Sequence, residues 1–242
     1  MDTLNSFLFI GLPYAALAIF IAGTIFRYTK YGYKVSSLSS EFLEGRRLFW
    51  GSQPFHWGIL FLFLGHLIGF LFPRSILLWN GHPVRLLILE ITGFIFGLSA
   101  FIGLVNLFIR RITEPRLKVV TNKMDIVIEL ILLIQIFIGL WIAFNYRWGS
   151  SWYASVMTPY LWSIFKFNPD IQAVIALPWM VKLHIIGAYL IVLLFPFTRL
   201  VHFLVAPLHY IGRPYQIVIW YRDRKSIRNP QSPWVIQYPK NN

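Results

Sequence analysis

The sequence predicts an all-α integral membrane protein with five transmembrane helices, and three observations carry that prediction. Long apolar runs recur along the whole chain, only 13% of its 242 residues are charged, and its Lys and Arg residues gather on alternate sides of the runs. A water-soluble domain has roughly a quarter of its residues charged, whereas here 57% are hydrophobic and the mean hydropathy is +0.62. The recurrence of the runs argues for one membrane domain.

The first span is expected over residues 4–26, with Pro13 inside it; the MDTLN start lacks the basic region of a cleavable signal. The second, PFHWGILFLFLGHLIGFLF at 54–72, makes a rod of about 28 Å, close to the hydrocarbon thickness of a bilayer. Ser52 is placed to cap it and Pro54 suits its first turn. The third covers 86–109, where Gly93 and Gly97 have the spacing for close helix approach, and Arg110 and Arg111 stop it. The fourth covers 126–146. Residues 147–178, rich in Trp and Tyr, read either as an aromatic belt or as a re-entrant segment roofing a pocket. The fifth covers 180–205 and is interrupted at Pro196.

Charge sets the expected orientation. Five Lys and Arg lie between Arg27 and Arg47, five between Arg110 and Lys123, and seven from Arg199 onward, against five on the opposite side at Arg74, Arg85, Arg147, Lys166 and Lys182. The positive-inside rule then gives an N-out/C-in topology. The net charge of +13 is accounted for by that topology, so no nucleic-acid partner is expected. The membrane domain is expected over 1–215. The basic tail 216–242 reads as a segment that folds along a partner subunit, with anionic membrane lipid as a further attraction.

Cysteine is absent, which removes disulfides, thiolate metal ligands, iron–sulfur ligation and thioether haem attachment. A metal would have to be held by His or carboxylate. His56 and His66 lie in the second span, His184 and His202 in the fifth, and antiparallel spans bring them to two depths as the pairs His56/His202 and His66/His184. Intramembrane imidazoles are costly unless they face protein or bind something. Each pair suits the two axial positions of a haem iron standing between facing helices, and two b haems would form an electron path across the bilayer. Ideal rods do not level the pairs. His184 and His202 share a helical face about 27 Å apart, whereas His56 and His66 are about 15 Å apart and roughly 80° off a common face. Helix tilt, the Pro196 kink and oblique haem planes must absorb about 12 Å. The competing reading is a non-redox anchor or transporter whose histidines bond neighbouring helices.

Other residues carry two readings each. Arg199, three residues before His202, either pairs with a haem propionate or anchors the span end. Glu90 either accepts a proton from a substrate or bonds across helices. Gly58, Gly65, Gly69 and Gly187 offer room for a macrocycle. Glu129 and Gln135 read as structural, and His82 and His209 as surface or interfacial.

Four stretches, FHWGILFLFLGHLIGFLFP (55–73), EPRLKVVTNKMD (114–125), IQIFIGL (134–140) and KLHIIGAYLIVLLFPFTRLVH (182–202), resemble the gamma subunit of respiratory nitrate reductase, a dihaem cytochrome b membrane anchor, in a likeness covering residues 4–215. The resemblance implies that His56 and His202 bind the haem nearer the cytoplasm, and His66 and His184 the haem nearer the outer face. It implies electrons passing from quinol at the outer haem to an iron–sulfur subunit and a molybdenum catalytic subunit in the cytoplasm, in a bacterial or archaeal cytoplasmic membrane. The terminal catalytic site is then in another chain. Where the family carries a Lys before the third span this chain has HPVRLLILE, which makes Arg85, with Glu90, the candidate quinone contact. A sulfur-cycle, heterodisulfide-type or nitrite-oxidising complex stays open as the alternative partner.

Overall fold

In the computed structural model, residues 2–32, 35, 40 and 43–205 are described, and every regular element among them is helical. The tail 216–242, His209 and part of the first basic loop lie outside the described residues. Five helices are long and apolar enough to cross a membrane: Thr3–Tyr31, Arg47–Leu71, Pro83–Thr113, Lys123–Asn145 and Trp179–Phe197. The chain is a multi-pass membrane protein. Large apolar side chains such as Ile95, Ile102, Ile134 and Phe137 face outward from these helices, as they must where the surrounding solvent is hydrocarbon.

The second span begins earlier than the apolar run. Its helix covers Arg46–Leu71 with Pro54 in the interior, so Ser52 does not cap it and Pro54 is not in its first turn. The start is set upstream by Glu44, whose carboxylate accepts from the Arg47 and Leu48 amides at 2.7 and 3.2 Å. Those are the donors a helix start leaves unpaired. Arg110, the third-span residue expected only to stop a helix, is buried and donates through Nε to Glu44 at 2.6 Å. One ion pair therefore ties the start of the second span to the end of the third.

These two spans cross with their backbones in contact. A Cβ added at Gly58 would lie 2.6 Å from both the Ala100 nitrogen and the Phe96 carbonyl, and one at Gly103 would strike Phe55 and the Gly51 carbonyl. The crossing runs through Gly51 and Gly58 against Ala100 and Gly103, not through Gly93/Gly97 as the spacing suggests. Gly93 has open space beside it, and Gly97 meets the Leu140 side chain of the fourth span. Small residues at i and i+7 on one helix and at i and i+3 on the other allow the approach.

The fifth span breaks where Pro196 stands. Its α-helix ends at Leu194; Phe195–Phe197 and Arg199–Val205 are 3₁₀ turns separated by an extended Thr198. Arg27 of the first span donates to the Pro196 and Thr198 carbonyls at 2.6 and 2.7 Å, taking up acceptors that the break leaves without helical partners.

Residues 147–178 are more than an aromatic belt. Helix Gly149–Trp152, a π turn Tyr153–Met157 and helix Thr158–Phe165 follow one another, with Ala154, Met157, Thr158, Tyr160 and Ile164 buried. Tyr153, Thr158 and Trp162 donate to the carbonyls of His66, Gly69 and Phe70 at 3.1, 3.1 and 3.0 Å. The segment is thus bound to the C-terminal end of the second span, where helix carbonyls need outside donors.

Candidate functional site

One of the predicted histidine pairs meets. The rings of His56 and His202 lie with centroids 6.2 Å apart at 64°. His66 stands in the last third of the Arg46–Leu71 helix and His184 in the first half of the Trp179–Leu194 helix. The fifth span is not one continuous rod, since an extended Thr198 separates the 199–205 turn from the Trp179–Leu194 helix and the turn after it.

Three of the four imidazoles are oriented by their own chain segment. Nδ1 of His56 donates to the Ser52 carbonyl at 2.8 Å, that of His66 to the Leu62 carbonyl at 2.8 Å, and that of His202 to the Arg199 carbonyl at 2.6 Å. A carbonyl can only accept, so Nδ1 carries the proton and Nε2 presents a free lone pair, the form a metal ligand requires. His184 differs: its Nδ1 is buried without a hydrogen-bond partner among the described residues. Among those residues no group of three or more His, Asp or Glu side chains converges as a metal site. The arrangement offers two donors side by side at His56 and His202.

Around His202, the structure assembles charges that the sequence reading left separate. Asp125 is buried and accepts from Arg199 Nε and Nη2, each at 2.8 Å. Arg111 lies 3.6 Å from Asp125 and donates through Nε to Glu129 at 2.8 Å. Arg199 also donates to the Val120 carbonyl at 2.9 Å. Asp125 was missed by inspection, although a signal existed: Asn122 and Asp125 have capping-box spacing, and each side chain accepts from the other's amide at the start of the fourth span.

Around His66, Tyr153 lies edge-on with ring centroids 5.3 Å apart. Gly69 makes the notch for it, since a Cβ there would sit 2.9 Å from the Tyr153 ring. The Tyr153 hydroxyl is pushed up to about 12 by burial and by Tyr189, so it stays a donor. Of the other glycines expected to give room, Gly58 is taken by the helix crossing and Gly187 by the Gln135 side chain, whereas Gly65 has open space beside it. Glu90 accepts from the Ser150 amide and hydroxyl at 2.8 and 2.6 Å, and Asn80 donates to the hydroxyls of Ser150 and Ser151. Arg85 lies over the Trp79 ring at 5.4 Å. Exposed His82 caps the third span through its backbone.

Five helices long and apolar enough to cross a membrane define a multi-pass membrane protein, with His56 of the second span against His202 beyond the fifth. A family model described as nitrate reductase gamma subunit matches residues 5–221. The chain is 35% identical over 217 residues to the nitrate reductase gamma chain of Bacillus subtilis (strain 168), covering 88% of this chain and 96% of that one. It is 35% and 32% identical to the gamma chains of respiratory nitrate reductases 2 and 1 of Escherichia coli (strain K12), covering 89% and 90% of this chain and 96% and 98% of theirs. The chain belongs to the nitrate reductase gamma subunit family.

Proposed function

We propose that this chain is the dihaem cytochrome b subunit of a nitrate reductase-type complex, carrying electrons from membrane quinol to an iron–sulfur subunit that feeds a molybdenum catalytic subunit. The observation that carries the reading is the His56/His202 geometry. Metal–imidazole bonds of about 2.0–2.1 Å on opposite sides of one ion put two ring centroids about 6 Å apart, and the separation here is 6.2 Å with Nδ1 of both rings held as a donor. The residues present therefore fit a haem. His56 and His202 would hold one and His66 and His184 the other; when bound, the two supply one-electron carriers at two depths.

The remaining assignments follow from charge and position. Lys and Arg asymmetry supports an N-out/C-in topology, with the His66/His184 end outward and the His56/His202 end toward the cytoplasmic subunits. Arg199 steadies His202 through its own carbonyl, and its guanidinium gives a propionate a cation nearby. Arg85 and Glu90 belong to the outward quinol side, where Glu90 also holds Ser150. The basic tail 216–242 docks along the cytoplasmic partners, and lipid covers the outward apolar faces. Family membership favours a nitrate reductase-type partner over a sulfur-cycle, heterodisulfide-type or nitrite-oxidising one, and over a non-redox anchor or transporter.

The test is haem content per chain in the complex purified with its cytoplasmic partners, with reduced-minus-oxidised spectra. Two b haems in the wild type, and one in each of His66→Ala and His202→Ala, are expected. Absence of haem from the intact complex, or unchanged content in both variants, would return the chain to the anchor class.

A further inference from the structure

His184 is the one candidate ligand whose Nδ1 has no carbonyl of its own helix to hold it, yet its ring must be fixed if it is to pair with His66. The fourth span supplies what the fifth does not. Gly139 faces the imidazole so closely that an added Cβ would lie 3.0 Å from His184 Cε1. One helical turn earlier, Gln135 donates through Nε2 to the His184 carbonyl at 2.9 Å, and its Oε1 sits against Gly187 where a Cβ would collide with it. Gln135 and Gly139 are four residues apart on one face of the fourth span, and His184 and Gly187 are three apart on one face of the fifth. The fit is reciprocal: on each helix a large polar side chain fills the space left by a glycine on the other.

We infer that Gly139 and Gln135 are the positioning residues of the His184 ligand, setting the plane of its imidazole from the neighbouring helix. Gly139 leaves the ring one place to lie; Gln135 fixes the height of the backbone that carries it. Neither touches the iron. Both act through His184, so their removal should alter one haem and leave the other as it was. This inference rests on the dihaem reading above.

The experiment uses the complete complex, purified in detergent, with haem per chain and low-spin EPR as readouts. The largest g value of a bis-imidazole haem depends on the angle between its ring planes, which a general loss of stability does not move. Gly139→Ala is expected to keep two haems and shift one EPR signal only. Gly139→Val is expected to lose one haem of the two, matching His184→Ala, and Gln135→Leu to shift the same signal as Gly139→Ala by a smaller amount. Gly93→Val, where there is open space, serves as the control and should resemble the wild type. Two haems with both signals unmoved in Gly139→Ala and Gln135→Leu would overturn the inference, and these mild variants decide it if Gly139→Val fails to assemble. Failure of the dihaem reading is separately visible: the wild type would lack two haems, or His184→Ala would retain both.

Discussion

Asp125 grips Arg199 with both carboxylate oxygens at 2.8 Å, and the Arg199 carbonyl is the acceptor that orients His202. A buried carboxylate at the start of the fourth span thereby fixes a histidine beyond the break in the fifth. Removing one partner of such a pair strands the other. Asp125→Ala is expected to cost about 3–5 kcal/mol and, on the proposed dihaem function, to release the haem assigned to His56 and His202 before the other. Arg199→Lys keeps the charge and loses the fork, so a smaller loss is expected. Thermal unfolding of the purified complex followed at the haem absorbance band checks both, and equal stability of wild type and Asp125→Ala would contradict the assignment.

Tyr153 joins the segment between the fourth and fifth spans to His66. Tyr153→Phe removes one hydrogen bond to the His66 carbonyl but leaves the ring against Gly69, so a loss of about 1 kcal/mol is expected. Gly69→Val displaces the ring itself and, on the proposed dihaem function, should disturb the spectrum of the haem assigned to His66 more than Tyr153→Phe does. Identical spectra in the two variants would show that the ring does not matter to His66.

The crossing of the second and third spans admits no side chain at Gly58 or Gly103. Gly58→Leu is expected to destabilise by at least about 1–3 kcal/mol, the usual range for overpacking, because backbone rather than a movable side chain stands in the way. Gly93→Leu on the same third span should be nearly neutral. Yield and melting temperature of the two variants side by side test the crossing directly.

Glu44 gives a pH dependence of known sign. Burial raises its pKa, but hydrogen bonds from the Arg47 and Leu48 amides and the Arg110 guanidinium outweigh it, leaving the carboxyl below its usual 4.5. Its stabilising contribution is present above pH 4.5 and is lost as pH falls through the lower folded value. The stability gap between wild type and Glu44→Gln should therefore be full near pH 6 and shrink below pH 4.5. A gap that widens on acidification would refute the pairing with Arg110.

The positions of the spans were legible because lipid imposes a one-dimensional demand: enough apolar residues in a row to cross it. The start of the second span was not, since Glu44 and Arg110 extend the helix past Pro54 through a contact made 66 residues away in sequence. Glycine spacing pointed to Gly93/Gly97, but spacing does not tell which face of a helix meets a neighbour. The meeting of His56 with His202 was legible from the opposite directions of the second and fifth runs.

By itself the sequence determined that this chain has five runs long and apolar enough to cross a membrane, that four histidines fall in the second and fifth of those runs, and that no thiolate competes with them. These are properties of composition and order along the chain. Only the tertiary structure decided that His56 meets His202 at 6.2 Å, that Asp125 anchors Arg199, and that Gly139 and Gln135 cradle His184. Those facts depend on how closely two backbones approach and where a broken helix turns. Such distances are set by mutual packing of segments remote in sequence, where an atom's width separates contact from collision.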